Sequence, residues 1–107
     1  MLASITNLGE DYSSVLIFTE AKDAEVADQL IVLLMGAILK EYYDSCDSCP
    51  TDFSSVEDWK ASVLECYTAL KKYSKINESD DTEEASIIQE AKSAIKFFAQ
   101  YLEEFWV

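Results

Sequence analysis

Cys46-Asp47-Ser48-Cys49 is the one arrangement in this sequence whose spacing belongs to thiol or metal chemistry. A redox pair works through a thiol of depressed pKa, usually at a helix N-terminus with positive charge nearby. Here Asp44, Asp47 and Asp52 stand around the pair, and neighbouring acids push a thiol pKa up. A structural zinc site needs four ligands. Cys66 supplies a third thiol, and the chain has no histidine to supply a fourth ligand. The cysteines are therefore expected to be incidental, with no metal and no cofactor. Carboxylate pairs such as Glu83-Glu84 and Glu103-Glu104 would do acid–base work only if one member were desolvated. Adjacent acids at helix ends are normally both solvated. Without histidine there is no Ser–His or Cys–His nucleophile, and the acid spacing of a calcium loop is absent. The chain is not expected to be an enzyme.

What remains is charge. Twenty-one carboxylates face eight lysines, a formal charge of −13 on 107 residues, with no arginine. Such a field repels nucleic acid and anionic lipid and speeds encounter with basic surfaces. The densest acidic stretches are Asp44, Asp47 and Asp52, and then Asp80, Asp81, Glu83 and Glu84. Tyr42 and Tyr43 flank the first, and tyrosine beside acid is a combination that anchors interfaces. These nine residues form the candidate partner-binding set, with the Asp44–Asp52 loop favoured. Each has a plainer account: acids at 80–84 complement a helix dipole, and the tyrosines pack beneath the loop.

The elements that must position these residues read as helices. Only two glycines and one proline interrupt a chain that is 50% apolar and 12% aromatic, too apolar for a disordered acidic tail. Val56, Trp59, Val63, Cys66, Tyr67, Leu70 and Tyr73 recur at three and four, an amphipathic stripe. Ser54 with Glu57 reads as its capping box, and Lys71, Lys72 and Lys75 suit its C-terminus. A second stripe joins Ile88, Ala91, Ile95, Phe98, Leu102 and Phe105. The segment from Asp23 to Asp44 is apolar all round, as in a helix that is central or covered by another subunit. A close helix crossing would account for Gly36 within it. Residues 3–20 fit a helical stripe through Ile5, Leu8, Tyr12, Val15 and Phe18, because a lone strand would have no partner.

The expected fold is all-α: one domain over 1–107, an antiparallel four-helix bundle with helices near 3–20, 23–44, 55–75 and 81–106. Leu33, Leu34, Trp59, Val63, Ile95 and Phe98 are its expected core. The longest apolar run, Leu30 to Leu39, is well short of the roughly 18–20 residues that span a bilayer. No targeting segment is evident, and an odd count of three cysteines suits a reducing cytoplasm.

In size, acidity and helix count the chain is similar to the helical immunity proteins that protect bacteria from their own nuclease toxins. The similarity is one of composition and carries no residue role. It implies a cytoplasmic inhibitor that binds a basic partner, a toxin or nucleic-acid-processing enzyme, with no direct contact to nucleic acid or membrane. A phage-type DNA mimic is the alternative, and a helical dimeric adaptor a third reading, so the chain is a monomer or a homodimer. Mimicry asks for uninterrupted rows of acid at duplex charge spacing, whereas lysines at 22, 40, 60, 71, 72, 75, 92 and 96 break the rows.

Overall fold

The structure, a computed structural model, describes residues 26–105 in full and, ahead of them, the backbone of two strands. Those strands are β1 (Leu2–Leu8) and β2 (Tyr12–Phe18), paired antiparallel with Leu2 opposite Phe18 and Leu8 opposite Tyr12. This corrects the helix expected over 3–20. A lone strand would indeed lack a partner, but the segment holds two strand-forming runs, each the other's partner. Tyr12, Val15, Ile17 and Phe18 favour extended backbone, and Gly9-Glu10-Asp11 between the runs is turn-type sequence. The start of the second expected helix, residues 23–25, and Trp106 lie outside the described residues.

Residues 26–105 are all-helical: α1 (Ala27–Ser45), α2 (Val56–Ser74) and α3 (Asp81–Gln100), followed by a 3-10 turn at Leu102–Glu104. The middle helix is the hub, with α1 packed on one flank and α3 on the other. Its buried residues, Trp59, Val63, Cys66 and Leu70, are the stripe read from sequence. Its cap sits one residue later than expected. Ser55 accepts the backbone N–H of Asp58 at 3.1 Å, while Ser54 donates its hydroxyl to the Asp58 carboxylate. Lys71 and Lys72 occupy the last turn as anticipated.

The outer helices bury different faces from those expected. In α1 the buried residues are Val32, Gly36 and Leu39, whereas Leu33 is 51% exposed and Leu34 half-buried. A helix apolar all round carries no polar stripe to mark its outside, so hydrophobicity alone cannot orient it. Of the two places its composition allowed, central or covered by another subunit, α1 does not take the central one, which is held by α2. In α3 the buried residues are Ala91 and Ala94, and Ile95 is 40% exposed. Two alanines let α3 lie close against α2, since interaxial distance follows the side chains at the contact; the bulkier Ile95 turns outward. Phe98 is half-buried and stacks on Phe105 with ring centroids 4.9 Å apart.

Candidate functional site

The C-terminus of α1, the N-terminus of α2 and the C-terminus of α3 meet at one end of the molecule, around Trp59. The Trp59 ring is fully buried. Phe53, Phe97, Tyr101 and Phe105 surround it at centroid distances of 5.0, 5.5, 5.3 and 5.4 Å. Residues 46–55 wrap over this cluster. Pro50 ends any helical continuation and accepts a hydrogen bond from the Phe53 N–H at 3.1 Å, a tight turn that drives Phe53 into the rings.

Tyr42 belongs to that packing. Its phenolic oxygen accepts the Trp59 indole N–H at 3.0 Å, and its hydroxyl donates to the backbone carbonyl of Glu104 at 3.2 Å. Burial and the neighbouring Cys46 thiol push its pKa up from 10.0 to about 12, against the lowering effect of the Trp59 hydrogen bond. Tyr43 lies on the other side of α1, with the ammonium groups of Lys60 and Lys40 at 4.7 and 5.4 Å from its ring centroid. The two tyrosines thus have separate surroundings: one ties helices together, the other sits half-exposed beneath cations.

The loop acids are exposed. Asp44 pairs with Lys40 at 2.7 Å across one helical turn, an exposed pair that solvent and salt screen. Asp52 accepts the hydroxyl of Tyr101, and this bond raises the Tyr101 pKa. Asp47 stands in the loop between them, exposed. The fold adds two acids that the sequence reading left out of the set. Glu103 and Glu104, at the end of α3, join Asp52 around a hollow of about 420 Å³ whose lining also includes Pro50, Tyr101 and Leu102 and holds no lysine. Antiparallel connectivity was the signal that could have found them, since it returns the end of α3 to the loop between α1 and α2.

Asp80, Asp81, Glu83 and Glu84 lie at the opposite end. Asp80 is the N-cap of α3, accepting the Glu83 N–H at 3.0 Å and the Thr82 hydroxyl at 2.6 Å, which together lower its pKa. The other three occupy the first turn, where they favour the helix dipole. Nearby, Asp28 accepts the Tyr73 hydroxyl, and that bond lowers the Asp28 pKa. The two acidic clusters of the candidate set therefore do not form one surface.

All three cysteines are free thiols. Cys46 is buried against the aromatic end and donates to the Ser48 carbonyl at 3.1 Å. Cys66 is buried between α2 and α3, and desolvation, assisted by Glu65, pushes its pKa up from 9.0 to about 11. Among the described residues no group of cysteine, aspartate and glutamate is arranged to hold a metal ion. No helix of the described residues is long and apolar enough to cross a membrane.

No protein-family model, curated protein or solved structure matches this chain.

Proposed function

We propose that this protein binds and neutralises a basic macromolecular partner, in the manner of an immunity protein or toxin inhibitor, through the aromatic end of its helices. The observation that supports the reading is the lysine-free hollow ringed by Asp52, Glu103 and Glu104, with Asp47 exposed in the same loop as Asp52, on a chain of net charge −13. Tyr101, packed on the buried Trp59 ring, donates to the Asp52 carboxylate and holds that one acid in place, which lowers the ordering entropy lost when a lysine or arginine docks there. A nuclease must keep a positive groove for its polyanion, and clustered acid complements that groove. The DNA-mimic reading is less favoured, because lysines punctuate the acidic surface: Lys40 pairs with Asp44 and Lys72 with Glu90.

The test is co-purification with the product of a genetically adjacent basic reading frame, followed by binding measured across a salt series. Affinity should fall as salt rises, and reversing Asp47, Asp52 and Glu103 to lysine should slow association by about tenfold or more at low salt. A partner whose binding ignores both salt and these reversals would overturn the reading. If reversing Asp80, Asp81, Glu83 and Glu84 alone has the effect, the interface belongs to the other end.

A further inference from the structure

Three contacts set α2 and α3 antiparallel: Lys72 to Glu90 at 3.7 Å, the Cys66 thiol to the Ala94 carbonyl at 3.9 Å, and the Trp59 and Tyr101 rings at 5.3 Å. Between the two helices runs an open trough of about 680 Å³. Small side chains line it, among them Cys66 and Ala69 from α2 and Ser93 and Ala94 from α3. Cys66 and Ala94 are buried and form its floor. Two larger apolar side chains, the exposed Leu64 and the half-buried Phe97, complete the lining. Small residues let a further helix approach closely, and an open groove with apolar walls is the usual seat of an amphipathic helix.

The trough leads into the acidic hollow. Ser93, Phe97 and Gln100 stand at i, i+4 and i+7 on one face of α3; the first two line the trough and the third lines the hollow. Along this path five carboxylates, Glu65, Glu90, Asp52, Glu103 and Glu104, meet one lysine among the described residues, Lys72, which is paired with Glu90. Charge therefore selects a basic occupant. A second copy of the chain would bring its own −13 to an acidic path. From Lys72 to Ala61 the trough follows about 16 Å of α2, and the step from Phe97 to Gln100 adds about 4 Å of α3, a path that a helix of roughly four turns covers.

We propose that the α2–α3 trough receives an amphipathic helix of the basic partner, its apolar residues against Leu64 and Phe97 and its lysines or arginines toward Glu65, Glu90 and the Asp52 hollow. This rests on the reading that the protein neutralises a basic partner, and adds which element of that partner is gripped. The probe is a synthetic leucine–lysine amphipathic helix of about four turns, titrated into the full-length protein and followed by fluorescence anisotropy. Ser93→Trp and Ala61→Trp, both at exposed positions lining the trough, should each fill it and weaken binding by about tenfold or more, with the helical circular dichroism spectrum unchanged. Leu33→Trp, on the exposed face of α1, should leave binding as it is. A peptide with serine in place of each leucine should bind about tenfold more weakly or worse. The proposal is overturned if either trough variant binds like the parent, if the serine peptide binds as well as the leucine peptide, or if the leucine peptide does not bind. Should any of these occur while reversal of Asp47, Asp52 and Glu103 still weakens the genetically adjacent partner, the trough is excluded and the neutralising reading stands.

Discussion

The indole N–H of Trp59 donates to the phenolic oxygen of Tyr42 at 3.0 Å, and through the Tyr42 hydroxyl the link continues to the Glu104 carbonyl. One phenol thus joins α1, α2 and the end of α3. Tyr42→Phe keeps the ring but leaves the Trp59 N–H without its acceptor. The expected loss is about 1–3 kcal/mol in urea denaturation, the cost of an unsatisfied buried donor. The pH dependence has a defined sign. A phenol whose pKa is raised on folding contributes stability that is whole below 10.0 and is lost as pH rises through about 12. The alkaline limb of the stability profile should therefore flatten in Tyr42→Phe.

Gly36 is buried in the middle of α1, and a Cβ added there would lie 3.8 Å from the Leu70 Cβ and 3.9 Å from the Tyr67 Cδ2. Both are ordinary van der Waals distances, so the close crossing expected from sequence does not demand glycine. Gly36→Ala should raise stability by about 0.5–1 kcal/mol by removing the entropic penalty of a mid-helix glycine. A lowered thermal midpoint would show that the helices approach more closely than these distances allow.

Asp80 caps α3 with a carboxylate whose pKa is lowered, first by the Thr82 hydroxyl and then by the Glu83 N–H. A depressed folded pKa contributes stability that is present above the ordinary value of 3.8 and lost as pH falls through the folded value. Asparagine caps nearly as well but does not titrate. Asp80→Asn should match the parent protein near neutral pH and be relatively more stable in acid. Paired denaturation curves from pH 6 down to roughly pH 2 read out this difference.

The two cysteines of the Cys46–Cys49 pair, expected to be equally dispensable, have different surroundings. Cys46 is 8% exposed and its thiol is 3.1 Å from the Ser48 carbonyl, while Cys49 is half-buried. Cys49→Ser should be neutral. Cys46→Ser should cost about 1 kcal/mol, because a more polar group enters an aromatic pocket while its hydrogen bond is kept. A thiol reagent should label Cys49 first and Cys66 last, since burial holds the Cys66 thiol pKa at about 11. Stoichiometric zinc in protein purified without added metal, lost in the double variant, would contradict both expectations.

Much of this protein is legible without coordinates where a side chain and its backbone ask for the same thing. The α2 stripe through Trp59, Val63, Cys66 and Leu70, the lysines at its end and the acids that start α3 are local signals, and local rules decided them. The net charge and the missing histidine and arginine likewise come from composition alone. Tertiary structure decided what no local rule contains. In α1 every face is apolar, so Val32, Gly36 and Leu39 became the inside only by fitting α2. In α3 the small Ala91 and Ala94 won over the larger Ile95, because close approach of helices rewards small side chains at the contact more than hydrophobicity along one strip. The N-terminal runs found their partner in each other. The acidic hollow is the clearest case: Asp52 and Glu103 are far apart in sequence and come together because antiparallel helices return the chain to the same end.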